Sequence, residues 1–262
     1  MNIATFRRDG IRRVAMMNLP RVDGVRYVVS WQLPDGDVPD QLLRDDVKVF
    51  RLSLPGVSRN RNNALDCSTA DLCLLADDDL LYTPEQLKEV IATFERDPET
   101  VLAAFRYDPP SRKPYPATVT DISRGFPKNH GGVTTIEMAF RRRPVVDAGV
   151  RFCELAGPGA PVLQAAEDEL FLESVRRKGL RCVYYPFTVC RHCGGLPTGA
   201  RRLTAGVVKA GGAVIAVTHP WTAALRIPLW AWRRWRRGQF PLLSGMLHLT
   251  HGALYALIHR LP

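Results

Sequence analysis

Apolar positions along the chain alternate between short runs and longer segments of helical period. The short runs, rich in β-branched and aromatic residues, predict strands at residues 2–6, 26–31, 47–52, 71–76, 101–107, 134–140 and 181–189. The longer segments predict helices at residues 11–18, 60–67, 84–96 and 167–178. Strands that alternate with helices in this way predict an α/β fold with a mostly parallel sheet flanked by helices.

The pattern changes after about Gly195, where Gly, Ala, Trp, Arg and Leu dominate the sequence. We therefore place a boundary near Thr198, with a catalytic domain at 1–198 and a helical tail at 199–262. Residues 222–238 mix aromatic and cationic side chains. Further on, a polar stripe recurs at helical spacing among leucines, and it consists of Ser244, His248, His251, Tyr255 and His259.

The charge of the chain is distributed unevenly. The net charge is +10, from 36 Lys and Arg against 26 Asp and Glu, but the 14 cations from Ser174 onward have no acidic residue among them. A basic amphipathic helix with Trp is typical of binding to an anionic membrane surface. A nucleic-acid patch would have a similar composition, but no motif upstream supports it, so we expect no nucleic-acid partner. Packing of the tail on the catalytic domain is the other alternative.

Length and cysteine usage limit the class of protein. A chain of 262 residues can bury a substantial core. Its six cysteines are too few and too scattered for a disulfide scaffold, and the N-terminus lacks the apolar segment of a secretory signal. We expect a cytoplasmic protein, peripheral on the inner face of the membrane. The Cys190–Cys193 stretch lacks a second ligand pair, so it does not predict zinc.

Three consecutive carboxylates, Asp77, Asp78 and Asp79, follow the predicted strand at 71–76. Their mutual repulsion is costly unless a cation offsets it. The crevice of an open α/β sheet lies outside the carboxyl ends of its strands, and carboxylate oxygens suit Mg²⁺ or Mn²⁺ bridged to phosphates. A solvated acidic turn before the next helix is the alternative interpretation.

Two further groups of residues are candidates for chemistry. Glu167 and Asp168 begin a predicted helix after a Gly/Pro-rich loop, a position that could fix a general base or merely favour the helix dipole. Arg59 and Arg61 lie in the turn before the helix predicted at 60–67. Their planar donors suit a phosphate, although an exposed basic turn would have the same sequence.

These groups occur together in one order, as GVSRNRNNAL, DLCLLADDDLLYTPEQL, VTTIEMAFRR and AAEDELFLESVRRKGLRCVYYP. With these motifs the chain resembles glycosyltransferase family 2 over roughly residues 1–195. The resemblance implies the Rossmann-like GT-A fold. It also implies a nucleotide-sugar donor, with a UDP-sugar expected, and Mn²⁺ or Mg²⁺.

The resemblance also implies roles for individual residues. Asp79 and Asp77 would contact the metal, Asp77 or Asp78 would lie near the ribose, and Asp168, next to Glu167, would be the base. Arg59 or Arg61 would lie near the diphosphate. Other implied positions are Trp31 and Gln32 near the base of the nucleotide, Glu137 lining the site, and His192 as a further metal ligand or a structural histidine. Related enzymes often have an acidic residue where Gln32 stands.

The sequence therefore predicts an inverting, metal-dependent glycosyltransferase. Its acceptor would be a glycan or a lipid-linked molecule, in bacterial surface polysaccharide synthesis. One alternative is a sugar-phosphate nucleotidyltransferase, although Phe6 to Gly10 is a poor match to the Gly-rich loop of that class. The other is a membrane-associated scaffold without turnover, which the intact aspartates argue against.

Overall fold

A computed structural model describes residues 1–109, 114–127, 132–193 and 203–262. The chain divides into two compact units. The first comprises residues 1–55, 59–151 and 175–194, and the second comprises 56–58, 152–174 and 195–262. The boundary predicted at Thr198 lies outside the described residues, and the division into 1–198 and 199–262 stays a prediction. Residues 152–174 group with the C-terminal helices and not with the sheet.

The first unit contains the strands of the described chain. They are β1 (Asn2–Phe6), β2 (Tyr27–Gln32), β3 (Val47–Leu52), β4 (Leu72–Ala76), β5 (Leu80–Leu81), β6 (Leu102–Asp108), β7 (Thr120–Asp121), β8 (Met138–Arg141) and β9 (Cys182–His192). The helices of the described chain are α1 (Arg7–Met16), α2 (Val57–Cys67), α3 (Pro84–Arg96), α4 (Arg142–Asp147), α5 (Glu167–Arg177), α6 (Ala205–Thr218), α7 (Ala223–Arg236) and α8 (Leu242–Ile258). Single 3₁₀ turns form at Asp40–Leu42, Thr135–Glu137 and Pro220–Thr222.

The sheet has the order β3-β2-β1-β4-β8-β6-β9-β5, with β7 paired to β9. The four strands β3, β2, β1 and β4 are mutually parallel, and so are β6 and β9. Strand β8 lies antiparallel between β4 and β6. The predicted α/β class is confirmed, and the carboxyl ends of β1, β2 and β4 share one edge of the sheet.

Burial explains why these segments form strands. Every residue of β2 is buried, and Tyr27, Val29 and Trp31 are 0% exposed. A strand covered on both faces is apolar along its length, as expected for a parallel sheet between helices. The core of this unit includes Ile3 of β1 and Val14 of α1. It holds the carboxyl edge of the sheet in a fixed position.

The first residue of an element departs from the prediction by three or more positions at three places. Helix α1 begins at Arg7, directly after β1, and not at Ile11. Helix α2 begins at Val57 and not at residue 60. The strand predicted at 134–140 begins only at Met138, because Thr134 and Glu137 form a capping box around one 3₁₀ turn. Helix α3 forms as predicted, with Thr83 as its N-cap, Gln86 completing the box and Pro84 in the first turn.

The second unit contains α6, α7 and α8, which share a core that includes Val208, Ile227 and Leu249. Glycines allow α6 and α8 to approach closely. A Cβ on Gly212 would lie 1.9 Å from the carbonyl oxygen of Leu249, and one on Gly252 would lie 1.8 Å from that of Lys209. The helical character predicted for the tail is therefore present in its described residues. No helix among the described residues is long and apolar enough to cross a membrane.

Candidate active site

Asp77, Asp78 and Asp79 follow β4 directly, at the edge where β1 and β2 also end. The three carboxylates have different neighbours and different exposures. The side chains of Asp77 and Asp79 are 40% and 32% exposed, whereas that of Asp78 is 13% exposed. The three aspartates therefore lie at the carboxyl edge of the sheet, where the sequence predicts them, and they differ in exposure and in partners.

Asp78 is held by two residues of the first βα unit. Thr5 donates its hydroxyl to Oδ2 of Asp78 at 2.6 Å. Arg13 of α1 donates through Nε to Oδ1 at 2.9 Å and through Nη2 to Oδ2 at 3.1 Å. A guanidinium in this two-pronged geometry fixes the carboxylate plane as well as its charge. Asp78 is thus an anchored residue.

Close packing at Gly10 makes this anchorage possible. A Cβ on Gly10 would lie 2.2 Å from Oγ1 of Thr5 and 2.7 Å from Oδ2 of Asp78. Any larger residue would force the two polar atoms to move. Gly10 therefore lets α1 approach the ends of β1 and β4.

Asp77 contacts Arg61 of α2, whose Nη2 donates to Oδ1 of Asp77 at 3.0 Å. The Arg61 side chain is only 7% exposed, so its charge is held close to the aspartates. Arg59, two residues earlier, donates to the carbonyl oxygen of Pro55 at 3.1 Å. Both arginines lie in α2 itself and not in the turn before it, which corrects the expectation that they stand on a loop.

Asp79 faces His192 at the end of β9, with Oδ2 and Nε2 3.4 Å apart. Burial raises the pKa of Asp79, a nearby cationic His192 would lower it, and the charges of Asp77 and Asp78 raise it further. Among the residues described, no group of three or more His, Cys, Asp or Glu side chains is arranged to hold a metal ion. Asp79 and His192 are thus a pair of possible ligands, and other ligands of a cation would have to come from elsewhere.

Glu137 is a buried carboxylate that serves the local backbone. It is 0% exposed. Its Oε2 accepts from the backbone N–H of Thr134 and from the Thr134 hydroxyl at 2.8 Å, and its Oε1 accepts from the Tyr115 hydroxyl at 2.6 Å. These contacts place Glu137 neither on an exposed strand edge nor on an open surface. Its predicted donor-binding role remains a prediction.

Trp31 and Gln32 are also inward-facing. Trp31 is 0% exposed, and its indole N–H donates to the carbonyl oxygen of Arg7 at 2.9 Å. Gln32 is 4% exposed, and its amide donates to the carbonyl oxygen of Leu54 at 2.6 Å. The Trp31 side chain is enclosed in the core, and the predicted role of these two residues near the base of a nucleotide stays a prediction.

The backbone is strained where β1 and β2 end. Arg7 and Leu33 directly follow these strands and both have φ near the left-handed region, at 53° and 47°. Such angles are uncommon for residues with a Cβ, and they cluster at functional sites in proteins. Both strained residues therefore lie at the same edge of the sheet as the three aspartates.

Glu167 and Asp168 are described with the second unit, to which they belong. They form the first turn of α5, with Glu167 9% exposed and Asp168 half-buried. Ala166, just before the helix, has φ of 78°, and Gly157 has φ of 103°. A Cβ on Gly157 would lie 3.1 Å from Oε2 of Glu167, so the Gly/Pro-rich loop packs directly against that side chain.

The same loop is tied to the start of α2 within this unit. The backbone N–H of Val57 donates to the carbonyl oxygen of Pro158 at 3.1 Å, and the hydroxyl of Ser58 donates to that of Ala156 at 2.7 Å. One N–H at the start of α2 is therefore already used by the loop. Glu167 and Asp168 stand on a helix whose preceding loop is well fixed.

Sequence reasoning did not identify Thr5, Arg13 or Asn60 as site residues. Asn60 donates its amide to the carbonyl oxygen of Thr5 at 2.9 Å, and Thr5 in turn holds Asp78. Thr5 and Asp78 are 73 residues apart. No local pattern joins residues at that separation, so only the folded chain identifies them.

The comparisons with known proteins agree with this geometry. The model of the family described as glycosyl transferase family 2 matches residues 37–146. That stretch contains Arg59, Arg61, Asp77, Asp78 and Asp79. No curated protein matches the chain.

Solved structures with the same fold are distant in sequence. S. aureus TarS 1–349 is 14% identical, with a TM-score of 0.54 over 82% of this chain and 66% of TarS 1–349. The same region of TarS in complex with UDP-GlcNAc is 15% identical, with a TM-score of 0.55 over 82% of this chain and 67% of that one. The mannosyltransferase PcManGT from Pyrobaculum calidifontis, in complex with GDP-Man and Mn²⁺, is 16% identical, with a TM-score of 0.52 over 98% of this chain and 74% of that one.

At these identities the structures show the fold, and the chain spans 66% of the length of TarS 1–349. The fold is the GT-A fold predicted from the motifs, and the family model independently matches the stretch that holds the three aspartates. The chain therefore has the GT-A fold, and its residues 37–146 match the glycosyl transferase family 2 model, which confirms the predicted resemblance to that family.

Proposed function

We propose that the chain is an inverting, metal-dependent glycosyltransferase that moves a sugar from a nucleotide-sugar donor to a glycan or lipid-linked acceptor. The observation that carries this proposal is the arrangement of the three aspartates at the sheet edge. Asp78 is anchored by Thr5 and Arg13, while Asp79 faces His192 at 3.4 Å. The two known structures in complex with UDP-GlcNAc and with GDP-Man and Mn²⁺ support a nucleotide sugar and a divalent cation of this general kind.

The donor set at Asp79 fits Mn²⁺ or Mg²⁺. A carboxylate and an imidazole suit Mn²⁺, and a single carboxylate with phosphate oxygens suits Mg²⁺. When bound, the cation would neutralise charge that develops on the departing nucleoside diphosphate. Asp79 and His192 would hold it, with Asp77 as the further candidate.

The residues of the chain would then act as follows. Arg61, fixed beside Asp77, would hold the diphosphate end of the donor by its charge. Arg59 would extend that basic surface. Asp168 would accept the proton of the acceptor hydroxyl as that oxygen attacks the anomeric carbon from the side opposite the nucleoside diphosphate. The bond from this carbon to the diphosphate breaks in the same step, so the configuration at the carbon inverts.

Local geometry supports a positioned carboxylate at Asp168. The residue lies in the first turn of α5, where the helix dipole favours a negative charge. The loop before the helix is fixed through Gly157 and Pro158. A base held in this way typically contributes ~10²–10⁴-fold to the rate.

Release of nucleoside diphosphate from a panel of nucleotide sugars, with Mn²⁺ and an acceptor, tests the proposal. UDP-sugars and GDP-mannose come first in the panel. Release of pyrophosphate from nucleoside triphosphate and a sugar phosphate would instead indicate the nucleotidyltransferase alternative. Failure to bind any donor would indicate the scaffold alternative.

Variants of single carboxylates assign the roles. We expect Asp168→Asn to lower turnover by ~10²–10⁴-fold without a change in the unfolding midpoint. Glu169→Gln is the matched control, since Glu169 is an exposed acid in the same helical turn. Near-wild-type turnover in Asp168→Asn, or an equal loss in Glu169→Gln, would remove Asp168 from the role of base.

The metal role has a separate test. We expect Asp79→Asn to weaken Mn²⁺ binding to the donor complex, measured by calorimetry. Asp71→Asn is its control, because Asp71 is an exposed acid at the other end of β4. Equal Mn²⁺ affinity in both variants would contradict the assignment. The setting in bacterial surface polysaccharide synthesis, on the cytoplasmic face of the membrane, is part of the same proposal.

A further inference from the structure

Large apolar side chains on the surface are concentrated in the C-terminal helices. Ten of the sixteen exposed large apolar residues in the described chain lie between residues 221 and 258. Trp221 is 97% exposed, and Leu225 and Leu243 are 77% exposed. Soluble proteins seldom expose so many large apolar residues on neighbouring elements unless the surface binds something.

Helix α8 is packed with its small residues inward and its large residues outward. Its buried face includes Gly245, Gly252 and Ala256, and the backbone of α6 touches it at Gly252. Its exposed face carries five large apolar residues, namely Leu243, Leu247, Leu254, Leu257 and Ile258. This is the reverse of a surface helix in water, which turns its large apolar residues to the core. Small residues at helix contacts are typical of helices whose outer faces meet lipid.

The outward face of helix α7 has an apolar stripe and, beside it, a row of arginines. Leu225, Leu229 and Trp232 follow one another at spacings of four and three, so they lie on one side of the helix. Arg226 and Arg233 form an adjacent row, one position further round the helix. The buried side of α7, which includes Ile227 and Ala231, faces the core of the unit. An apolar stripe beside a basic row is the pattern of a helix lying in a membrane interface.

Aromatic and cationic groups are also paired on α7. The guanidinium of Arg236 lies 5.2 Å from the ring centre of Trp232. Trp and Arg together suit the boundary between headgroups and acyl chains, where one partner is apolar and the other meets phosphate.

The positive charge of this surface indicates what kind of partner binds to it. From Ala205, where α6 begins, to the end of the chain there are seven cations, five of them in or directly after α7, and no acidic residue. A second copy of the same basic surface would bring these cations together without counter-charges, and a protein partner would have to carry acidic residues beside an apolar surface. An anionic bilayer supplies both phosphate groups for the arginines and an apolar layer for the leucines.

We propose that the outward faces of α7 and α8 insert into the headgroup and acyl-chain boundary of an anionic lipid bilayer. The inference names a lipid bilayer as the partner of the proposed transferase. It rests on the proposed function only for the purpose of membrane binding and not for the binding itself. It specifies insertion of apolar side chains and not adsorption by charge alone.

Co-sedimentation of the full chain with vesicles tests the proposal without donor or acceptor. Vesicles of phosphatidylcholine with 30% phosphatidylglycerol, about one third anionic lipid, are compared with pure phosphatidylcholine. We expect binding to the anionic vesicles that persists in about 1 M salt, where surface charge is screened within ~3 Å. Tryptophan emission should shift to shorter wavelength, because four of the five Trp residues lie in or beside α7 while Trp31 is already buried.

Two pairs of substitutions separate insertion from adsorption. Leu247→Gln with Leu254→Gln should lower the partition coefficient at least about tenfold, since each leucine then loses its apolar transfer. Leu43→Gln with Leu54→Gln is the matched control, with leucines 68% and 55% exposed in the first unit, and should bind like the wild type.

A second pair of substitutions tests the row of arginines on α7. Arg226→Gln with Arg233→Gln should lower partition to anionic vesicles by about 30-fold, or ~2 kcal/mol at 1.4 kcal/mol per tenfold. Arg12→Gln with Arg143→Gln is the control, since both are exposed outside these helices.

The proposal would be overturned by unchanged binding of the leucine variant, by full release of the protein in salt, or by a stable dimer that does not bind vesicles. Vesicle binding without nucleoside diphosphate release would leave this inference standing and count against the proposed function alone.

Discussion

Gly10 offers a sharp test of how the aspartates are held, because two opposing effects meet at one residue. Alanine is a better helix former than glycine, by ~1 kcal/mol in a helix interior. Helix propensity alone therefore predicts that Gly10→Ala stabilises α1. The packing predicts the opposite, since the new Cβ would lie 2.2 Å from Oγ1 of Thr5 and 2.7 Å from Oδ2 of Asp78.

The magnitude follows from what the methyl group displaces. Inserting a methyl group into a packed site costs ~1–3 kcal/mol. The displaced hydrogen bond from Thr5 to the Asp78 carboxylate contributes ~1.5–3 kcal/mol, because its acceptor is charged. Relaxation of Thr5 recovers part of this cost. We expect Gly10→Ala to be less stable than the wild type by ~1.5–3 kcal/mol, after the propensity gain is subtracted.

Urea unfolding measures this difference, with the midpoint shifting at constant slope. Gly211→Ala is the matched control, since a Cβ at that position of α6 would lie 3.7 Å from its nearest neighbours. It should gain up to ~1 kcal/mol. Thr5→Ala removes the nearest atom, so the double variant Gly10→Ala with Thr5→Ala should be more stable than the two single effects predict.

The same variant should weaken the binding of a nucleotide sugar, because Asp78 is displaced at the sheet edge. We expect the dissociation constant to rise about tenfold or more, a change of ~1.4 kcal/mol. If Gly10→Ala were as stable as Gly211→Ala and bound the donor normally, the close contact at Gly10 would not hold Asp78 in place.

Two further predictions concern stability. Burial acts to raise the pKa of Asp97, but hydrogen bonds led by that from Arg181 lower it to about 2. The stabilisation is therefore complete above the unfolded pKa of ~3.9 and is lost as the pH falls toward 2. In urea unfolding, Asp97→Asn should lower the free energy of unfolding by ~1–2 kcal/mol at pH 7 and by little near pH 2. Gly252→Ala should lower the thermal midpoint well below that of Gly211→Ala, because its Cβ would lie 1.8 Å from the carbonyl oxygen of Lys209; equal midpoints would contradict the close helix contact.

Much of the fold follows from local sequence pattern. The alternation of apolar runs and helical segments predicts α3 and the longer strands β1, β2, β3, β4, β6 and β9, because burial on a sheet and capping by Thr83 are local effects. It does not predict the two-residue strands β5 and β7. The segment from Thr134 to Phe140 misleads because its alternation fits a strand. Its first half is a helical turn, since Thr134 and Glu137 form a capping box, a signal that was present in the sequence.

The start of α1 and the faces of α8 show where local pattern fails. The sequence pattern predicts a helix that begins at Ile11, yet Gly10 already lies within α1, in close contact with Thr5 and Asp78, and no local pattern shows that contact. In α8 the polar stripe from Ser244 to His259 predicts one amphipathic face. The buried face is set instead by the size of Gly245 and Gly252, and a hydropathy pattern does not weigh size.

The site shows the same division between local and long-range effects. The position of Asp77 to Asp79 after a buried strand is a local feature, and the sequence predicts it. The partners that distinguish the three residues come from β1, α1, α2 and β9, and no spacing in the sequence connects them. The burial of Trp31 likewise depends on the layers that cover β2.

The partners of the three aspartates also account for the charge that remains at the sheet edge. Arg13 neutralises Asp78, and Arg61 contacts Asp77, so two of the three negative charges already have a guanidinium beside them. Asp79 faces the imidazole of His192, which carries a positive charge only when it is protonated. Burial raises the pKa of Asp79 and the charges of Asp77 and Asp78 add to that rise, while those of His192 and Arg13 oppose it. A divalent cation would favour the ionised form of Asp79. Asp79, on the β9 side of the site, is therefore the first candidate among the three carboxylates to bind the proposed cation, with Asp77 as the further one.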